Sequence, residues 1–247
     1  MTIRDLLSFQ YRKKLPAEFG SGRVLVTGRS DMRVLKPGWT ACAHDLMLVT
    51  RSIVEKDMCV WDIGSNLGIL SAMAAGKIGP GGSVYALEAD PEYARLINLT
   101  ASKLPETYAP VTVLCAAIAD KRGVMTFGVA DKGHARSKLL GISDDDDFKI
   151  ASQKQVVTVT GDELLEYWSP PAFVKMDVEG AELLALNGSQ QLLTEIRPIF
   201  YLEVSPQNQT EVSKLLRSYQ YEIFHLKGDG SEQQVDECTF YTIARPG

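Results

Sequence analysis

This chain of 247 residues is poor in cysteine, carries no basic excess and holds no long apolar run. Its four cysteines, at 42, 59, 115 and 238, form no Cys-x-x-Cys pair, which argues against a zinc site or a disulfide framework. Cys59 and Cys115 lie in apolar strand contexts and read as small core residues. No stretch approaches the ~20 apolar residues that span a bilayer, and the N-terminus lacks a run of signal-peptide length. A reduced, soluble, cytoplasmic protein is the expectation. The formal net charge is −5, so no basic face for nucleic acid is expected. The only compact basic run, Arg12-Lys13-Lys14, reads as a solvated helix end. Also missing are an internal repeat and the Gly-x-Gly-x-x-Gly turn on which a pyrophosphate sits.

What is present is an ordinary globular composition, 45% hydrophobic and 23% charged, long enough for a full core. The organising stretch is 58–68, Met-Cys-Val-Trp-Asp-Ile-Gly-Ser-Asn-Leu-Gly. It reads as a buried strand, a glycine turn and the start of a helix, which together make a ligand crevice at a strand's carboxyl end. Gly64 and Gly68 suit close approach of the backbone to a ligand, and the new helix offers free N–H groups.

Before this stretch, the pattern predicts a short helix capped by Thr2 and ended by Pro16 and Gly20. It then predicts a hairpin from strands 23–27 and 32–35, and a helix from a Thr40 cap to about residue 54. Residues 1–57 are therefore expected to form a small cap over the crevice. Residues 58–247 are expected to form the core. There strand and helix alternate, as in a parallel sheet covered on both faces. Strands are expected at 83–88, 111–118, 124–129, 156–160, 173–178 and 199–204, with a last hairpin from 221–226 and 239–244. Residues 131–155 lack periodicity and read as a lid or substrate-facing insertion, with Asp144 to Asp147 as a solvated loop rather than a metal site.

The turn reads Asp62-x-Gly64-x-Asn66-x-Gly68. A carboxylate at 62 opposes a pyrophosphate and suits a cationic head such as an amino acid portion; the alternative is a helix-capping carboxylate. Glu88 ends the next strand, 24 residues after Gly64, where a carboxylate accepts from both ribose hydroxyls. A nucleoside with an ammonium and no diphosphate is S-adenosylmethionine.

The second informative stretch, 173–182, reads Phe-Val-Lys-Met-Asp-Val-Glu-Gly-Ala-Glu. Strand alternation puts Lys175, Asp177 and Glu179 on one side. A lysine in a buried strand needs a partner, and Asp177 is available. Glu203, near the end of the neighbouring strand, adds a carboxylate. The cluster serves either chemistry or an ion network holding strand ends together.

Asp62-Ile-Gly-Ser-Asn-Leu-Gly68, Glu88 and Lys175-Met-Asp-Val-Glu-Gly-Ala-Glu182 together resemble the FkbM family of S-adenosylmethionine-dependent methyltransferases, over about 39–204. The resemblance implies a Rossmann-like class I methyltransferase fold with a mostly parallel seven-stranded sheet. It also implies O-methylation of a hydroxyl on a sugar, glycolipid or polyketide-like molecule. Carried over by position, Asp62, Gly64, Ser65, Asn66 and Gly68 would hold the methionine part, Glu88 the ribose, and the strand end near Ala116 the adenine. Cys115 stands where family members often have asparagine.

Methyl transfer needs an aligned oxygen and a base nearby. Glu179, Glu203 and Asp177 are the candidates, in that order. His44 and His134 are alternatives, the first reading better as helix packing and the second as an exposed loop residue. Paired carboxylates also suit a divalent cation, although no metal site is predicted. Two rival readings are a nicotinamide-dependent oxidoreductase with an atypical turn and a non-catalytic nucleoside-binding module. The expected acceptor is a small molecule or glycan.

Overall fold

The computed structural model describes residues 9–130, 137–142 and 149–247. The helix expected after Thr2 falls largely outside them. Its far end is a strand: β1 (Gln10–Lys14) pairs antiparallel with β2 (Arg23–Thr27), from Gln10 opposite Thr27 to Lys14 opposite Arg23. Lys13 is therefore not part of a solvated run. It is buried, donates to the Val34 and Lys36 carbonyls at 2.8 Å each, and lies 4.6 Å over the Trp39 ring. Those acceptors and the aromatic face offset the cost of burying its charge. Residues 32–35 are not a strand either. The Asp31 side chain accepts from the Arg33 N–H at 2.8 Å and turns Met32–Leu35 into a 3-10 helix. Helix α1 (Thr40–Ser52) begins at Trp39 without a side-chain cap, so Thr40 is inside it, and Ala43 breaks its regular geometry.

From residue 59 the chain runs β3 (Cys59–Ile63), α2 (Ile69–Ile78), β4 (Ser83–Leu87), α3 (Pro91–Ala101), β5 (Val111–Leu114), β6 (Ala117–Ile118), β7 (Gly123–Ala130), β8 (Lys138–Leu139) and β9 (Ile150–Val159). It continues through α4 (Gly161–Leu164), β10 (Phe173–Met176), α5 (Glu182–Asn187), β11 (Ile199–Glu203), α6 (Gln209–Ser218), β12 (Tyr221–Leu226), β13 (Glu232–Gln234) and β14 (Tyr241–Pro246). Helix α3 starts as its sequence dictates, with Asp90 capping the Glu92 N–H and Pro91 at the first position.

The main sheet has the order β13-β12-β14-β11-β10-β3-β4-β5. This is an α/β Rossmann-like arrangement, but among the described residues the sheet has eight strands and not the expected seven. Strands β11, β10, β3, β4 and β5 are mutually parallel, whereas β14 pairs antiparallel with β11, β12 antiparallel with β14 and β13 antiparallel with β12. The extra strand arises because the chain after the 228–230 turn pairs back on β12, as a tight turn allows only for antiparallel neighbours. Strand β3 lies between β4 and β10, so the chain reverses direction across the sheet at β3, the place where a crevice opens.

Both faces of the sheet are covered. Trp61, Ile63, Val174, Met176, Phe200 and Leu202 fill one side. Val60, Phe173, Tyr201 and Ile243 pack on the other, against α1 and α2. Residues of the N-terminal segment, including Phe19, Val26 and Trp39, share a core with Leu67, Met73 and Leu96.

The expected single strand 111–118 is two. After Leu114 the chain leaves the main sheet: the Glu88 N–H donates to Leu114 and the Ala116 N–H to Glu88, each at 3.1 Å. Strand β6 then joins a second sheet of order β6-β9-β7-β8. Strand β9 starts at Ile150, so 150–155 is regular rather than part of an aperiodic insertion. Its polar sequence, Ile-Ala-Ser-Gln-Lys-Gln, hides the alternation because that end is largely exposed on both sides. His134 and Asp144 to Asp147 lie outside the described residues. Among the described residues no helix is long and apolar enough to cross a membrane.

Candidate active site

The turn between β3 and α2 is built from backbone. Gly64, Asn66 and Gly68 have positive φ (71°, 52° and 67°). The Gly64 and Ser65 N–H groups donate to the Leu87 carbonyl at 2.9 and 3.0 Å, tying the turn to the end of β4. The Ser65 hydroxyl lies 2.5 Å from the Asp62 carbonyl. A Cβ on Gly64 would stand 1.8 Å from the Asp177 carbonyl oxygen, and one on Gly68 would stand 3.0 Å from Ile97. The observed close neighbours of these glycines are thus the chain's own β10 end and α3, where the sequence reading had a ligand.

Glu88 is buried at the end of β4. One carboxylate oxygen accepts from the Asn66 N–H at 2.6 Å, the other from the Asp90 N–H at 2.8 Å. Burial pushes its carboxyl up to about 7. Each oxygen keeps lone-pair capacity for one more donor. Beside it lies a cleft of about 620 Å³, polar at Asn66 and Glu88 and apolar along Ala116, Ile118, Phe127 and Leu139.

Strand register makes a polar row on the α1 and α2 side of the sheet: Asp62 on β3, Lys175 on β10 and Tyr201 on β11 are direct neighbours. All three are buried. Asp62 Oδ2 accepts from the backbone N–H and hydroxyl of Ser71, at 3.0 and 2.5 Å, so this residue does cap α2. Its Oδ1 has no hydrogen-bond partner among the described residues and lies 3.6 Å from Lys175 Nζ. Lys175 Nζ donates to the Gly64 carbonyl at 2.6 Å and lies 3.5 Å from Asp177 Oδ2. Burial opposes its charge, but Asp177, Asp62, Glu203 and Glu88 outweigh that and hold its pKa above the ordinary lysine value. The Tyr201 hydroxyl donates to Asp45 Oδ2 at 2.8 Å.

Around this row opens a second cleft of about 1,210 Å³, lined from α1 by His44 and Asp45 and from β11 and β14 by Glu203 and Tyr241. The two clefts share Asn66, Asp177 and Glu179. Burial raises the Asp177 carboxyl, against the pull of Lys175. Burial, Asp177 and Asp45 push the Glu203 carboxyl up to about 9.

A family model described as the methyltransferase FkbM domain matches residues 62–223. The chain belongs to this family. This FkbM protein is 24% identical over 177 residues to AglP, a hexuronic acid methyltransferase of Haloferax volcanii, across 70% of this chain and 67% of that one. The solved FkbM methyltransferase of Methylobacillus flagellatus matches 81% of this chain and 47% of its own, with TM-score 0.55 and 17% identity. A solved S-adenosylmethionine-dependent methyltransferase of Agrobacterium tumefaciens matches 96% of this chain and 69% of its own, with TM-score 0.50 and 10% identity. The two structures share the fold. The FkbM protein is an S-adenosylmethionine-dependent methyltransferase. Neither the oxidoreductase nor the non-catalytic reading finds support here.

The residues present fit that donor. A buried carboxylate with spare acceptor capacity suits a ribose diol, an apolar wall suits a purine, and the Asp62 oxygen that makes no hydrogen bond among the described residues suits an ammonium. Of the residues singled out in the FkbM sequence, Gly64, Asn66, Glu88, Ala116, Asp177 and Glu179 line the first cleft. Asp62, Ser65 and Glu203 line the second, and Gly68 lines neither. His44 Nε2 sits 2.8 Å from the Gly228 carbonyl, a packing contact at the cleft margin. Glu182 anchors its own loop, accepting from the Gly180 N–H, Ser205 and Asn208. No group of three or more potential metal ligands is found among the described residues.

Sequence reasoning missed Asp45, Tyr201, Phe240 and Tyr241. Tyr201 was recoverable in part, because it alternates with Phe200 and Leu202 and so faces the same side as Lys175 once the strands are paired. The other three lie at the cleft only because α1 and the start of β14 converge there.

Proposed function

We propose that this methyltransferase transfers a methyl group to a hydroxyl oxygen of a sugar-like small molecule or glycan. The observation that carries this reading is the pair of adjoining clefts sharing Asn66, Asp177 and Glu179. One has the features of a nucleoside site, and the other is roomy and rich in hydrogen-bonding side chains. The similarity to a hexuronic acid methyltransferase supports the sugar class.

In this reading Glu88 accepts from the ribose hydroxyls. Asp62, Gly64, Ser65, Asn66 and Gly68 form the cradle for the methionine part. Ala116 and the apolar wall beside it face the adenine. S-adenosylmethionine, when bound, supplies an electrophilic methyl on a sulfonium. The chain's task is to hold the acceptor oxygen in line and take its proton. Glu179 is the first choice for that base. It lies at the seam of the two clefts, held at φ 48° just before Gly180. Asp177 also lies at the seam but faces Lys175, and Glu203 reaches only the second cleft. The 1–57 segment, through described residues such as Ser30, Arg33 and Asp45, acts as the acceptor-facing cap on a core of 58–247, and of the 131–155 insertion Ser137 and Leu139 line the donor cleft. The carboxylates around the second cleft disfavour a nucleic-acid phosphodiester. The four cysteines are unpaired, which suits the cytoplasm.

The test is transfer from methyl-labelled S-adenosylmethionine to a panel of hydroxylated sugars, with Glu179→Gln alongside. The expected outcome is O-methyl product and a kcat loss of about 10²–10⁴ in the variant. An unchanged kcat would remove Glu179 as the base, and N-methyl product would remove the oxygen assignment.

A further inference from the structure

We propose that the second cleft selects for charge, and that Asp45 and Glu203 make it prefer an acceptor sugar bearing an ammonium group over one bearing a carboxylate or phosphate. This rests on the reading of that cleft as the acceptor site. Three elements bring the carboxylates together: Asp45 from α1, Asp177 after β10 and Glu203 at the end of β11. No lysine or arginine among the described residues of the cleft is free to answer an anionic acceptor, and His44 is engaged with the Gly228 carbonyl at 2.8 Å. Lys175, with its side chain 4% exposed, is already set between Asp62, Asp177 and the Gly64 carbonyl. Arg33 is held by Asp31 at 2.6 Å with its side chain 64% exposed at the margin. Asp45 receives only the Tyr201 hydroxyl, a neutral donor, and Glu203 has neither hydrogen bond nor ion pair among the described residues.

Asp62 is committed to the donor side, with Lys175 3.6 Å from it as its charged neighbour. The Asp62 side chain is 1% exposed, it lines the cleft, and its Oδ1 lacks a hydrogen-bond partner among the described residues. With the donor's ammonium set against Asp62, Asp45 has no cationic partner among the described residues, and Glu203, which holds a proton while the cleft is empty, becomes a carboxylate when an ammonium stands beside it. The elevated Glu203 carboxyl reports the same negative field, since Asp177 and Asp45 both add to the effect of its burial. An ammonium placed there relieves this repulsion, and a second anion increases it. Tyr241 and Phe240, partly exposed at the cleft margin and in edge-to-face contact 4.9 Å apart, give an apolar surface for a sugar ring.

The experiment uses the full chain with saturating S-adenosylhomocysteine and measures binding of three probes: the methyl glycosides of glucosamine, glucose and glucuronic acid. The amine should bind at least about tenfold more tightly than the uronate, with a gap that narrows as salt rises. Asp45→Asn should shrink the ratio by about threefold or more, and Glu203→Gln serves where that variant fails to melt cooperatively. Equal or tighter uronate binding, a ratio unmoved in both variants, or binding of none of the probes would overturn the proposal. Methyl transfer to the neutral glycoside separates the two readings. If transfer persists while the charge ranking fails, only this inference falls. If no sugar is bound or methylated, the sugar reading falls with it.

Discussion

Lys175 Nζ donates to the Gly64 carbonyl oxygen at 2.6 Å, so the lysine of the second motif holds the glycine turn of the first. The same ammonium stands 3.6 Å from Asp62 and 3.5 Å from Asp177. A single buried cation thus fixes the turn and balances a carboxylate on either side.

Replacing that cation is expected to be costly. In Lys175→Met the turn loses its donor, and Asp62 and Asp177 face each other without a counter-charge. A loss of about 3–5 kcal/mol is expected from denaturant unfolding. A loss below about 1 kcal/mol would mean that the network contributes little.

Gly64→Ala tests the close approach of β3 and β10. The new Cβ would meet the Asp177 carbonyl at 1.8 Å, at a φ of 71° that side chains rarely adopt. A destabilisation of about 3 kcal/mol or more is expected, together with weaker S-adenosylmethionine binding. Gly228→Ala, with nothing within 4 Å, is the control that should stay near wild type.

The elevated Glu203 carboxyl makes stability depend on pH in a defined direction. Its pKa stands at about 9 in the folded chain against an ordinary 4.5, chiefly through burial. Between those values the folded state keeps a proton that the unfolded state has lost. Stability is therefore greatest below about 4.5 as far as this group is concerned, and it declines as pH rises toward about 9. Melting temperatures across this range should fall less steeply in Glu203→Gln. Parallel curves for the two proteins would count against the elevated value.

How much was legible in the sequence follows from which contacts are local. The turn at 62–68 and the carboxylate at 88 were readable because each marks the end of its own strand. Lys175 could be flagged because a lysine in an apolar strand must have a partner. Its main acceptor, the Gly64 carbonyl, lies 111 residues earlier and depends on β10 pairing with β3, which no local pattern encodes. Lys13 misled for the same reason: its acceptors, the Val34 and Lys36 carbonyls, come from a 3-10 turn that Asp31 induces. The strand at 150–155 was hidden because its polar side chains lack the buried alternation seen at Val156 and Thr158. The second cleft was the least visible part. Asp45 and Tyr241 are ordinary residues in their own segments and acquire a role only where α1 and β14 meet.

The central claim is that Glu88 holds the ribose of S-adenosylmethionine as a carboxylate, and calorimetry with that ligand tests it most directly. Because burial raises this carboxyl to about 7, wild-type affinity should be full near pH 8 and weaken as pH falls below about 7. At pH 8, Glu88→Ala should lose about 100-fold or more, the equivalent of two hydrogen bonds to a charged group. Glu88→Gln, which keeps the shape, should lose affinity and the pH dependence together. Wild-type affinity in either variant, when cooperatively folded, would contradict the account.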